Sequence, residues 1–378
     1  LVGSEMCIRD SPEYIPHALN LYLLGGVVLQ WLIGPLADRY GRRPLLLGGC
    51  AFFCLVCLAT FWVDGIEVFN LLRLLQGIGL GFVVTVSYPA LNEAFSEADA
   101  VRMMALLANI ALLSPLLGPL VGTLLLEWVS WRWLFVLLGG TTVLAWLALY
   151  RFMPETLGVE RRDGTRLAFQ PIHLLPLLSG YAQLLGNRRF VAGSAALGLI
   201  GLPLIGWIGL SPVLLIHDEG LSTMEYALWQ LPVFGGLILG NLIINRIADR
   251  YPLTRLVQGA LWPFLSGLLL AMLATWLFPS VISLVSGLSL YALGLGVANA
   301  VLYRMTLFSS EQSKGLVSAM LGMITIALLG FGGAVMAMVG AGAGLLEFAL
   351  AAGLAGLLAL WPLWLVVRDS RAALAVQP

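Results

Sequence analysis

Charge is what this sequence has least of: Asp, Glu, Lys and Arg make up 11% of 378 residues, against roughly 25% in soluble globular domains. With 60% hydrophobic residues and a mean hydropathy of +0.95, the chain does not belong to the soluble classes. The charges it has are balanced, 20 basic against 20 acidic, and no block of like charge stands out. Nothing in them points to a nucleic-acid partner or an interaction tail. Histidine is nearly missing: His17, His173 and His217 are scattered, none near another or near paired acids. A membrane enzyme would need a metal cluster, a nucleophile or paired acids, so that class is disfavoured, and no metal or cofactor is expected. Of the four cysteines, Cys50, Cys54 and Cys57 share one apolar run with no His or acid. Buried thiols of this kind read as packing or lipid-facing residues rather than disulfides or ligands. Acids inside apolar runs are also lacking; each Asp and Glu lies in a loop or at a run's end, with Glu347 the nearest exception.

What the chain does have is long apolar runs. A bilayer core of about 30 Å takes roughly 20 apolar residues to cross as a helix. Eleven runs qualify: His17 to Ala37, Pro44 to Val63, Val68 to Leu91, Met103 to Leu126, Trp131 to Phe152, Phe190 to Ile216, Glu225 to Ile247, Arg255 to Phe278, Val281 to Leu307, Gly315 to Val339 and Gly344 to Val367. The expectation is an all-α, multi-pass membrane protein in contact with the lipid bilayer. Between the fifth and sixth runs, Pro154 to Arg189 is a linker. Within it Leu174, Leu177, Leu178, Tyr181 and Leu185 recur at helical spacing, as in a short amphipathic helix on a membrane surface.

Position gives the few charges meaning. Assigning alternate loops inside gathers Arg39, Arg42, Arg43, Arg102, Arg151, the linker arginines, Arg246, Arg250, Arg255, Arg304, Lys314, Arg368 and Arg371 on one face, with Arg132 opposite. Short Lys/Arg-rich loops stay in the cytoplasm, so the linker and the C-terminus are expected there. The same rule puts the start of the His17 run outside. Leu1 to Ser11, with Glu5, Arg9 and Asp10, has no apolar span and no cleavage site, and reads as a non-native leader. The expectation is therefore eleven spans where the pattern calls for twelve, with the first missing.

An internal repeat supports that count. Ala37-Asp38-Arg39-Tyr40 recurs as Ala248-Asp249-Arg250-Tyr251, and Gly25 and Ile33 fall in register with Gly236 and Ile244. Two parallel repeats imply two pseudo-symmetric bundles. The expected organisation is a leader over 1–11, an N-terminal bundle over 12–153 holding helices two to six, the linker over 154–189, a C-terminal bundle over 190–369 holding helices seven to twelve, and a tail over 370–378.

Three stretches carry chemistry. Gly34-Pro35-Leu36-Ala37-Asp38-Arg39-Tyr40-Gly41-Arg42-Arg43-Pro44 sets four charges in a tight turn at a membrane face, with Asp38 able to meet a helix N-terminus. Arg73 lies several residues inside its run, where a cation costs a few kcal/mol even on lenient scales and must find partners or a water-filled cavity. Ser114-Pro115-Leu116-Leu117-Gly118-Pro119-Leu120-Val121-Gly122 is helix-breaking sequence in mid-membrane.

The first stretch resembles the signature loop of the major facilitator superfamily, and the third resembles the antiporter motif of its drug/proton exchangers. The stretches LLRLLQGIGLGF, RFMPET, GLPLIGWIGLSP, EYALWQLPVFGGLILGN and GLGVANAVLYRMTLFSSEQSKGLVSAMLGM extend the resemblance from about Pro12 to the last run. It implies that Gly34, Asp38, Arg39, Gly41, Arg42, Arg43 and Glu93 form a cytoplasmic gate motif, with Glu93 paired to Arg42. It implies a role for Arg73 in proton coupling, an antiporter motif at Pro115, Gly118, Pro119 and Gly122, and a drug cavity lined by Tyr88, Asn109, Ala111, Ile208, Gln230 and Phe234. The implied activity is multidrug efflux of lipophilic small molecules in exchange for protons, by a monomer in the bacterial inner membrane. An exporter of one metabolite is the alternative. In the group of that superfamily which these stretches resemble, the membrane-embedded acids belong to the first helix. Proton-coupled efflux by this chain is accordingly expected to need a further helix, with one or two acids, ahead of His17.

Overall fold

The structure is a computed structural model; it describes residues 14–126, 128–158, 174–340 and 344–375. The leader at Leu1 to Ser11 and the linker arginines Arg161, Arg162 and Arg166 lie outside those residues. The described elements are helical: α1 Tyr14–Val28, α2 Gln30–Tyr40, α3 Arg42–Ala59 with a 3-10 turn Thr60–Trp62, α4 Ile66–Ala94, α5 Glu97–Leu126, α6 Trp131–Phe152 and α7 Leu174–Gly186. They continue with α8 Arg188–Pro212 running on as a π-helical turn Val213–Asp218, α9 Thr223–Ile247, α10 Leu253–Leu277, α11 Val281–Leu307, α12 Lys314–Gly340 and α13 Leu345–Ala375. In lipid the backbone must satisfy its own hydrogen bonds, and a helix does so within one segment. Among the described residues, nine helices are long and apolar enough to cross a membrane.

One of the eleven expected runs departs from that form. The His17 to Ala37 run is divided at Leu29 (φ −104°, ψ 2°), whose carbonyl accepts from both Leu32 N (3.0 Å) and Ile33 N (2.9 Å). Tightening to an i+3 bond at that point ends α1 and starts α2. The Met103 to Leu126 run is the later part of α5, and the helix continues unbroken through Pro115 and Pro119. The helix starts are capped where the sequence offers a cap. Asn187 Oδ1 accepts from Arg189 N (3.0 Å) and Phe190 N (3.2 Å) at α8, and Ser222 and Glu225 form a reciprocal capping box at α9.

The chain separates into two compact units, each drawing on both halves of the sequence. One comprises the described residues within Leu1–Ala94, Gly118–Leu184 and Glu311–Met323; the other those within Phe95–Leu117, Leu185–Ser310 and Ile324–Pro378. In the first unit α1 and α4 touch backbone to backbone: a Cβ on Gly25 would run into the Leu74 carbonyl, and one on Gly77 into the Tyr22 carbonyl. Beside this contact Ile33, Ala37, Leu46 and Val86 form a core, covered by Leu29, Phe82, Leu149 and Met153. In the second unit α9 and α11 meet the same way, Gly236 against the Ser289 carbonyl and Gly240 against the Leu293 carbonyl. Gly25 and Gly236 are the register pair of the sequence repeat, so the repeat reappears as one close helix crossing in each unit.

Candidate functional site

The charged turn of the first unit is built around Gly41. Its φ of +104° lies in the region that favours glycine, and a Cβ there would strike the Glu155 carboxylate. The turn delivers Arg42 into the interior, where its side chain is 1% exposed. Arg42 Nη2 lies 2.6 Å from Asp38 Oδ1 and 2.8 Å from Glu93 Oε1, and Nε donates to Glu93 Oε2 at 3.2 Å. One guanidinium thus holds two carboxylates from two helices. Taking ions out of water costs several kcal/mol each, which only such close pairing with further hydrogen bonds can offset. The further bonds are present: Thr156 Oγ1 donates to Glu93 Oε2 at 2.8 Å. The Glu155 carboxylate takes the first amides of α3, from Arg42 N (2.9 Å) and Arg43 N (3.1 Å), where the helix dipole favours a negative charge.

Asp38 faces the start of α12 as well. Its Oδ1 accepts from Gly315 N at 3.1 Å and its Oδ2 from Leu316 N at 3.2 Å. One turn back, Gly34 lies so close to Gly315 that a Cβ on either would overlap the other's carbonyl oxygen. Asp38 therefore joins Arg42 and the N-terminus of α12 through a buried carboxylate. Arg43 instead donates to the Tyr150 carbonyl (2.6 Å) and stacks over that ring, while exposed Arg39 lies over Tyr40.

The repeat's second loop has a weaker counterpart in the second unit. Arg102 at the start of α5 pairs with Asp249 (2.9 Å) and donates through Nε to the Asn245 carbonyl (2.8 Å). Asp99, bonded by the Ser96 hydroxyl and by Arg102, is held below the usual carboxylate range. Arg304 lies 3.8 Å from Glu97. These groups are partly exposed, with Arg102 at 28% and Asp249 at 51%.

Arg73 sits on α4 with its guanidinium 4.5 Å above the Tyr22 ring, and Nη1 donates to Gln76 Oε1 at 2.8 Å. Gln76 passes the chain on, donating to Thr60 Oγ1 (3.1 Å), which donates to the Val56 carbonyl (2.9 Å). Arg73 Nε is buried without a hydrogen-bond partner among the described residues.

The sequence-derived cavity residues occupy both units. Tyr88 is half-buried on α4 in the first. In the second, Asn109 Oδ1 accepts from Asn241 Nδ2 at 2.7 Å. Gln230 is buried; its Oε1 accepts from Trp207 Nε1 (2.7 Å) and its Nε2 donates to Ser211 Oγ (3.0 Å). Phe234 is buried one turn further along α9, whereas Ala111 and Ile208 are exposed. Gly118 is exposed, and among the described residues nothing lies within 4 Å of a Cβ placed there. The side chains of Pro115, Pro119 and Gly122 lie outside the described residues. Glu155, Thr156, Trp207 and Asn241 were not among the expected site residues. Their signal lay in stretches already matched to the family, RFMPET, GLPLIGWIGLSP and EYALWQLPVFGGLILGN, with no role attached.

Long apolar helices, a two-fold repeat and a buried helix carboxylate set on the N-terminus of another helix mark a multi-pass membrane protein built from two related halves. The family model described as Major Facilitator Superfamily matches residues 10–325, and the chain belongs to that superfamily. It is similar to the Multidrug transporter MdfA of Edwardsiella ictaluri (strain 93-146), 46% identical over 315 residues, covering 83% of this chain and 75% of the relative. The protein of the same description in Yersinia pestis bv. Antiqua (strain Angola) is 45% identical over 324 residues, covering 85% and 77%. Among solved structures, the proton:xylose symporter XylE superposes with a TM-score of 0.74 at 15% identity, covering 96% of this chain and 89% of that one, a likeness of fold.

Proposed function

We propose that the protein exports lipophilic drugs in exchange for protons, by alternating access, in the bacterial inner membrane with its C-terminus in the cytoplasm. The observation that supports this most is Asp38, buried between Arg42 and the Gly315 and Leu316 amides. A carboxylate on a helix N-terminus is worth roughly 0.3 to 2 kcal/mol, enough to bias two conformations without locking one. In this reading the Asp38 cluster closes the cytoplasmic side. Gln230, Asn109, Tyr88, Ala111, Ile208 and Phe234 contact drug, and apolar walls with few hydrogen-bonding groups suit substrates of mixed shape. Similarity to transporters described as multidrug carriers supports the substrate class.

The test expresses the protein in a pump-deficient host. Drug tolerance is expected, and because exchange for protons draws on the proton gradient, a protonophore should erase it. Asp38→Asn should lower it and raise the reactivity of engineered cysteines to reagents added from the cytoplasmic side. Unchanged susceptibility in every strain would refute the reading.

A further inference from the structure

Pro35 lies inside α2 and has no N–H to give to the carbonyl four residues back, that of Trp31. A buried carbonyl without a donor is costly, and a donor from elsewhere meets it here: the Tyr181 hydroxyl of α7 donates to Trp31 O. Tyr181 is 9% exposed and belongs to a buried stripe with Leu177, Gly180 and Leu184. The same face of α7 reaches α12. Gly180 packs against Leu316, and Gln312 Nε2 donates to Gln183 Oε1 at 2.8 Å. α7 thus touches α2 and, at Gln312 and Leu316, the start of α12 and the residues just before it, and Asp38 joins the same two elements.

We propose that α7 is a clasp across the α2–α12 contact, with Tyr181 as its positioning residue, so that the linker helix sets how readily that contact opens. This rests on the alternating-access reading only for its role in transport; the clasp itself is a property of the contact. Tyr181 is suited to the task as a permanent donor, because burial, and then the Asp38 carboxylate, push its phenol above the ordinary tyrosine value. Gly180 is suited as well, since a Cβ there would lie 3.3 Å from Leu316 Cδ1 and a larger side chain would lift α7 away.

The test uses the full chain with its cysteines replaced and Thr85→Cys introduced. Thr85 is 2% exposed, and its carbonyl accepts from Ser318 of α12, so a maleimide reaches this thiol only when α4 and α12 part. Tyr181→Phe removes the hydroxyl and little else. It should raise the labelling rate by about threefold to tenfold, the weight of one hydrogen bond. Gly180→Leu should raise it too. Joining the exposed pair Gln183→Cys and Gln312→Cys by a brief, quenched exposure to a short bifunctional thiol reagent, before buried Thr85→Cys has reacted, should lower labelling below the parent. A Tyr181→Phe rate equal to the parent, or a cross-linked rate equal to the uncross-linked one, overturns the clasp. Ethidium extrusion is measured separately; its absence from the parent would count against transport while the labelling rates still decide the clasp.

Discussion

Arg73 shows how one side chain is committed in several directions. Its plane lies over the Tyr22 ring while Nη1 points along α4 to Gln76, so stacking and a directed hydrogen bond are made at once. An ammonium on a flexible stem cannot supply both. Arg73→Lys is expected to cut ethidium extrusion by roughly tenfold or more, the equivalent of about 1.4 kcal/mol, while the amount of protein in the membrane stays the same. Extrusion at the unsubstituted rate by the Lys variant would show that charge alone suffices. Gln230 carries a similar lesson: Trp207 takes its oxygen and Ser211 one amide hydrogen. Each group of its amide keeps one place for a further bond, one N–H to donate and one lone pair to accept.

At the scale of elements, close approach is set by glycine. Gly34 lets α2 meet α12, and a side chain there would overlap the Gly315 carbonyl. Overpacking of a tight contact costs typically 1 to 3 kcal/mol, so Gly34→Val should move the contact toward its open form by roughly tenfold. The readout is faster maleimide labelling of Thr85→Cys. Gly48→Ala is the control: nothing lies within 4 Å of its Cβ position, and the labelling rate should not change. Equal rates for the two variants would remove sterics from the account of this contact.

Over the whole molecule, the two loops of the repeat are unequal. The first is a buried cluster in which Asp38 holds an arginine and two amides; the second is the half-exposed Arg102–Asp249 pair. Exposed pairs are worth about 0 to 1 kcal/mol and are screened by salt. Asp249→Asn should therefore affect extrusion far less than Asp38→Asn, and its effect should fade between roughly 0.01 M and 1 M salt, where the Debye length shrinks from about 30 Å to 3 Å. An Asp249→Asn defect as large as that of Asp38→Asn, and insensitive to salt, would contradict the ranking.

Membrane class, the repeat, and the turn with its arginines were legible in the sequence because each is a property of residues close along the chain. Apolar run length meets a fixed bilayer thickness, and Gly41 and Asp38 stand in one short stretch. Tertiary structure alone decided who meets whom. Glu155 reaches the first amides of α3 from 113 residues away, Asn241 reaches Asn109 across 132, and Tyr181 reaches Trp31 across 150; no local pattern encodes such distances. The face of α7 makes the same point. Periodicity grouped Leu178 and Leu185 with Leu177 and Tyr181, yet Leu178 and Leu185 are exposed and Leu184 is buried. On a helix apolar on more than one side, hydropathy does not choose the buried stripe; the Trp31 carbonyl left open by Pro35, and the close approach of Gly180 to Leu316, do.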